Sequence, residues 1–411
     1  MALTGLAGGF DPAATLIVVR WMPKALNLFR GCMPKPDAGL HACDREAYRA
    51  SFPNNLPMNS HPHRSAGAPG HPHNEFDTLR IAAAMAVIFS HHFALTSTPA
   101  PTWLNFGMVG GVAVMVFFTI SGYLVTQSWL REPKVLRFLW KRWLRVWPGV
   151  LVAVLSNVIL FGLLFTALPT REFLLHSQTL DYFRNLLLYR AYVDLPAVFL
   201  GNPYPQVMNG PLWTIPMESL CYVVLAAVGA LGCLRSRAMA SLICGAYLAY
   251  FLTQRNADLT GEMQHWYEYS AYFAHGALIA LHREWFHAHA RRFLLPLSVV
   301  ALALFFGLRM QHTAGLLLLP PLLICLGSCQ VPALSPLHRW GDPSYGIYLF
   351  GFPMAQAVQA SWPDLPFAVS LLLTIALAAA AGYASWHAIE SRALRLKNWA
   401  PRRMSIRDAA P

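Results

Sequence analysis

The stretch Asn74–His92, NEFDTLRIAAAMAVIFSHH, decides the fold. It opens on charge at Glu75, Asp77 and Arg80, turns apolar, and ends on two histidines. Read as a helix, it puts Arg80 and His91 on one face after about 1,100° of turn, roughly 16 Å apart along the axis. With Arg80 at one membrane surface, His91 falls near mid-bilayer. An ionisable side chain at that depth is costly, and is kept either for function or for a hydrogen bond to a neighbouring helix. Both readings stand at this point.

Working outward, the 411 residues are 56% hydrophobic and 12% charged, with a mean hydropathy of +0.41. Ordinary soluble domains carry roughly twice that charged fraction. From Phe76 onward the apolar runs make about ten stretches near the length a bilayer requires. They cover 77–97, 108–128, 147–168, 212–232, 238–253, 267–282, 293–309, 314–330, 342–360 and 366–388. The expected fold is therefore all-α, a polytopic membrane protein. Residues 1–73, rich in Pro, Gly, Asn and His, read as a disordered or non-native leader. Residues 74–395 form the membrane domain and 396–411 a basic tail. His61, His63, His71 and His73 in the leader read as a flexible polar tract rather than a metal-binding one, and no metal site is expected.

The net charge of +12 would suit nucleic acid, but its placement is topological. Arg131, Lys134, Arg137, Lys141, Arg142, Arg145, Arg235, Arg237, Arg283, Arg291, Arg292, Arg339 and the tail fall on one side. Arg171, Arg184, Arg190, Arg255 and Arg309 fall on the other. The split puts both termini in the cytoplasm and excludes a nucleic-acid partner. The seven cysteines contain no CxxC, and those in or beside apolar runs read as small buried hydrophobes. The long connection 169–211 would then face outward. Its Asp181, Asp194, Asn202 and aromatics suit either a sugar or an interfacial belt.

Three further stretches carry chemistry. GGVAVMVFFTISGYLV (Gly110–Val125) has glycines for close helix approach and Ser121 as a candidate oxyanion donor. FLWKRWLRVWP (Phe138–Pro148) gathers Lys141, Arg142 and Arg145 on one helical sector among tryptophans. That sector is a membrane-surface anchor or a phosphate seat. NGPLWTIPMESLCYVV (Asn209–Val224) carries Glu218 as its sole acid, which needs a partner at that depth. Proximity of Glu218 to His91 is expected, since a carboxylate would orient the imidazole.

Taken in order, these stretches resemble the membrane-bound acyltransferase-3 family. The resemblance lies in D-x-x-L-R with a His eleven residues later (Asp77, Leu79, Arg80, His91), FFTISGYL (Phe117–Leu124), FLWKRWLRVWP, PLWTIPMESLCY (Pro211–Tyr222), SYGIYL (Ser344–Leu349) and Ile389–Glu390. It implies a ten-helix enzyme of the bacterial cytoplasmic membrane. Such an enzyme moves an acyl group, usually acetyl from acetyl-CoA, to a hydroxyl of a glycan or lipid-linked saccharide. It holds no permanently bound cofactor. By position, His91 is implied as general base with Glu218 as its orienter or as an acceptor-binding carboxylate. Arg80, Arg142 and Arg145 are implied as seats for CoA phosphates. Asp77, Trp213, Tyr222, Tyr345 and Glu390 are supporting residues. A direct transfer and an acetyl-His intermediate both fit. Many relatives have a His shortly after S-Y-x-x-Y-L, where this chain continues Phe350, Gly351, Phe352, Pro353. His92 and His275 are the available substitutes. The rival reading is a carrier or flippase, in which His and Glu serve proton coupling. Oligomeric state is not legible in the sequence.

Overall fold

The computed structural model describes residues 75–101, 106–256, 262–308, 310–329 and 341–398. The histidine-rich leader and most of the basic tail lie outside these residues. The described chain is helical, with no strand beyond isolated bridges between Thr166 and Val198 and between Asp194 and Val207. Helix α1 is Phe76–Leu95, α2 Phe106–Arg131 and α3 Val135–Leu155, the last continuing through a π turn to Phe165. Short helices α4 (Thr170–Leu175) and α5 (Ser177–Tyr182) follow, then α6 (Thr214–Ala230), α7 (Arg237–Asn256) and α8 (Glu262–Leu281). The remainder are α9 (Arg283–Leu302), α10 (Gln311–Gly327), α11 (Ser344–Ser361) and α12 (Phe367–Ser385).

Helix occupies each apolar stretch expected from the sequence. Five segments are long and apolar enough to cross a membrane: 76–95, 109–131, 135–165, 210–230 and 367–395. The bent pair Arg283–Ala290 and Arg292–Gly307 makes six if it counts as one span. The helices within 237–253 and 311–327 are apolar but shorter. The third segment begins at Val135, twelve residues before the expected 147, because the cationic turn is built on the same helix. Trp140, Trp143 and Trp147 stack along that turn with ring centroids 5.2 and 4.8 Å apart.

Glycine sets the closest helix approach. A Cβ on Gly122 of α2 would lie 2.0 Å from the carbonyl oxygen of Phe273, and one on Gly276 of α8 would lie 2.3 Å from that of Thr119. The two backbones therefore touch, as small residues allow in membrane helices. Gly122→Val should cost about 1–3 kcal/mol or more, since overpacking here meets backbone rather than a flexible side chain. The check is the midpoint of thermal aggregation of the purified protein. A midpoint equal to that of the wild type would contradict the packing.

The connection after α3 packs back against that helix. Phe173 fills the space a Cβ on Gly162 would need, Asn157 donates to the Tyr182 hydroxyl at 2.8 Å, and the Trp147 indole donates to the Leu186 carbonyl at 3.2 Å. The segment thus runs back along α3, with Leu175, Leu180 and Leu187 on its exposed side. Asn185 holds the return by bonding Tyr182 and Tyr192. Asn202, one candidate sugar contact, is buried and donates to Gln356 of α11. Asp181 pairs with Arg184 at 3.0 Å. These two polar groups serve the fold. Of the cysteines, Cys221, Cys325 and Cys329 are buried, while Cys233 and Cys244 are half-buried.

Candidate active site

The first turn of α1, the cationic turn of α3 and the start of α11 meet at one acid, Asp342. Its Oδ1 accepts from the Ser344 backbone N–H at 3.2 Å and from the Ser344 hydroxyl at 2.5 Å, which fixes the carboxylate at the mouth of α11. Its Oδ2 then accepts from Arg80 at 2.9 Å and from Arg145. Arg80 is also paired with Asp77 one turn earlier. Three helices are thus tied by one buried carboxylate. Gly341 just before it has φ +86°, and a Cβ there would lie 2.0 Å from the Trp386 indole nitrogen. Only glycine meets both conditions. Trp386 opens the π turn Trp386–Glu390 after α12, and the Arg145 guanidinium lies 5.7 Å from its ring centroid.

Above this hub lies a cavity of about 110 Å³ among α1, α2, α3, α6 and α11. Its polar walls are Arg80, Arg142, Arg145, Ser121, Glu218 and Tyr222. Glu218 accepts from Tyr222 on the next turn of α6 and from Ser121 of α2 at 3.3 Å, and the Ser121 and Tyr222 hydroxyls are 2.9 Å apart. Three buried polar atoms at this wall have no hydrogen-bond partner among the described residues: Arg80 Nε, Arg142 Nε and the Tyr345 hydroxyl. Unsatisfied donors in a polar cavity are what a bound ligand would answer.

The far end of the cavity is apolar. Phe117 meets Tyr348 edge-on at 5.5 Å, and the Tyr348 hydroxyl is fixed by Thr214 at 2.8 Å and by the Pro211 carbonyl at 3.0 Å. One helical turn further, Phe352 packs edge-on against His91 at 5.6 Å. His91 is half-buried and is not a wall of the cavity. The structure therefore joins Glu218 to Ser121 and Tyr222, and seats His91 beyond Tyr348. His92 points elsewhere, fully buried with its ring 5.0 Å from Phe367. His275 is turned to the Leu316 carbonyl at 2.8 Å, so neither histidine lies at the cavity. Gly351 leaves no room for a side chain, because a Cβ there would lie 2.5 Å from Ile88. Among the supporting residues, Asp77 and Tyr345 sit at the site and Glu390 is buried beside it, bonded to Ser385 at 2.7 Å. Trp213 packs on Tyr269 instead.

Sequence reasoning missed Asp342 and Tyr348. The first had a signal: it is an isolated acid two residues before the Ser344–Tyr345 motif. The second stands in the Ser344–Leu349 motif itself, as the second tyrosine of S-Y-x-x-Y-L, but nothing in the motif assigns it a role.

A helical membrane protein with arginines, a carboxylate and hydroxyls gathered in an internal cavity has the makings of a group-transfer enzyme. The chain belongs to the acyltransferase-3 family, whose model, described as an acyltransferase domain, matches residues 73–386. It is an acyltransferase. An "O-acetyl transferase" of Shigella phage Sf6 is 27% identical over 347 residues, covering 79% of this chain and 97% of that protein. "Nodulation protein 10" of Rhizobium leguminosarum bv. viciae is 28% identical over 369 residues, covering 81% and 96%. "Acyltransferase MdmB" of Streptomyces mycarofaciens is 28% identical over 150 residues, about a third of each chain (35% and 36%). No solved structure matches the chain.

Proposed function

We propose that the protein is a membrane O-acyltransferase that moves an acetyl group from acetyl-CoA to a hydroxyl of a cell-surface or secreted glycan or of a lipid-linked saccharide. In this reading it lies in a bacterial cytoplasmic membrane with ten spans and both termini cytoplasmic. The observation that carries the proposal is the cavity, which sets guanidiniums at one end and the Ser121–Glu218–Tyr222 cluster midway, in a chain of an acyltransferase family.

The donor enters from the basic side. Arg80 and Arg145 are already committed to Asp342, so Arg142 is the guanidinium best placed to take a CoA phosphate. The thioester arm extends along the cavity toward Tyr348, and the acceptor approaches from the His91 side. A neutral imidazole at His91 removes the proton of the attacking hydroxyl, the new ester C–O bond forms as the C–S bond breaks, and the CoA thiolate leaves. Glu218 accepts the single proton of each of the Ser121 and Tyr222 hydroxyls, so the hydroxyl left to donate to the oxyanion at this wall is that of Tyr345, which has no hydrogen-bond partner among the described residues. Of the two roles expected for Glu218, orienter of His91 or acceptor-binding carboxylate, its hydrogen bonds within the cavity favour the second.

The test uses membranes supplied with acetyl-CoA labelled in the acetyl group, following label into glycan and lipid fractions alongside free thiol. Wild type should release thiol and label one fraction. Arg142→Ala should raise KM for acetyl-CoA roughly tenfold to a hundredfold, the loss of one or more charge-assisted hydrogen bonds, with kcat changed little. Absence of thiol release across a panel of glycan and lipid acceptors would sink the enzyme reading in favour of a carrier.

A further inference from the structure

On the opposite side of α6 from the polar cavity lies a second and larger one, of about 630 Å³, between α6, α7 and α8. It exists because α7 packs along α8, while its tie to α6 is the short turn Cys233–Arg235. Two helices consecutive in the chain are thus splayed apart. The walls are aliphatic and aromatic, with Val224 and Leu225 on one side, Cys244 on another and Phe273 and Ala277 at the back. Tyr247 and Ser270, which also line it, satisfy each other with a 2.6 Å hydrogen bond. Among the described residues, no acidic or basic one lines the cavity. An occupant therefore needs to be hydrocarbon over most of its length. On α6 and α7 the neighbouring Leu220, Val223, Leu242 and Ile243 are exposed apolar side chains, as lipid contact requires.

One end of this cavity is basic. Leu234 and Ala240 line it, and between them in the chain stand the exposed Arg235 and Arg237. Leu281, at the same end, is followed by His282, which bonds Ser241 at 2.6 Å, and by Arg283, which bonds Gln127 at 3.3 Å. Glu284 follows Arg283, whereas no acid stands beside Arg235 or Arg237 in the chain. A long apolar slot with a cationic rim matches one ligand chemistry. We infer that the α6–α7–α8 cavity is a binding site for an anionic glycerophospholipid, with an acyl chain in the slot and the phosphate headgroup at Arg235 and Arg237. The site is separate from the transfer reaction.

The test reconstitutes the full chain in phosphatidylcholine vesicles carrying a trace of lipid with a diazirine in one acyl chain. The probe lipid is either phosphatidylglycerol or phosphatidylcholine. After irradiation, labelled peptides are located by mass spectrometry. Phosphatidylglycerol should label α6, α7 and α8 many-fold above phosphatidylcholine. Arg235→Gln with Arg237→Gln should remove that preference, at roughly fivefold for each arginine. Val224→Trp, which fills the slot, should lower labelling by both lipids. The arginine pair is exposed, so its replacement leaves folding intact and keeps the test open should Val224→Trp fail to insert. Equal labelling by both lipids in the wild type, or a phosphatidylglycerol preference that survives loss of both arginines, would overturn the inference. So would displacement of phosphatidylglycerol by an equimolar polyisoprenyl phosphate.

Discussion

Membranes carrying His91→Ala are expected to lose transfer of labelled acetyl groups by about 10²–10⁴-fold at matched protein levels, the usual worth of a positioned general base. The ring is half-buried and packs edge-on against Phe352, so the thermal-aggregation midpoints of the two proteins are compared to separate a lost base from lost packing. The loss should fall on kcat, with KM for acetyl-CoA unchanged, because the proposed reaction puts the donor's phosphates at the arginine end of the cavity and away from His91. The adjacent histidine is the control. His92 is fully buried against Phe367, so His92→Phe should keep transfer within a few-fold of wild type if the protein inserts. Equal loss in both variants, or none in His91→Ala, would remove His91 as the base.

Replacing Asp342 should produce the largest change in stability. The carboxylate joins α1, α3 and α11 through Arg80 and Arg145, and the three side chains are 8%, 20% and 21% exposed. Asp342→Ala leaves the Arg145 guanidinium without its paired acid and Arg80 with Asp77 alone. Removing one partner of a buried ion pair costs about 3–5 kcal/mol. The expected result is a lower yield of monodisperse protein and a thermal-aggregation midpoint several degrees down. Asp342→Asn keeps the hydrogen bonds to Ser344 and should recover only part of the loss. Equal midpoints for wild type and Asp342→Ala would argue against the ion-pair hub.

Much of this molecule was legible in its sequence because membrane helices announce themselves by length and apolarity. The registers of Arg80 with His91 and of Lys141, Arg142 and Arg145 are consequences of helical pitch alone. What the sequence did not disclose was contact between elements distant in the chain. Asp342 meets Arg80 from 262 positions away, and no local pattern states that an acid will serve two arginines rather than one. The pairing of Glu218 with Ser121 is likewise a matter of how α2 and α6 face each other. The path of the segment after α3 was illegible for a related reason. Its polar and aromatic residues suit a sugar contact or an interfacial belt, and only the bonds from Trp147 and Asn157 turn it back along the helix.

The contact between α2 and α8 also bears on recombination among relatives. Each helix contributes one glycine whose missing side chain is the room taken by the other's backbone. The two helices are therefore a matched set, although about 150 residues of chain separate Gly122 from Gly276. A chimaera that imports α2 from a homologue while keeping the resident α8 inherits half of a lock. Crossovers that carry both helices together, or neither, would preserve it. A directed-evolution library built by shuffling should accordingly show these two segments co-inherited among its folded survivors, whatever acceptor the survivors had been selected to modify.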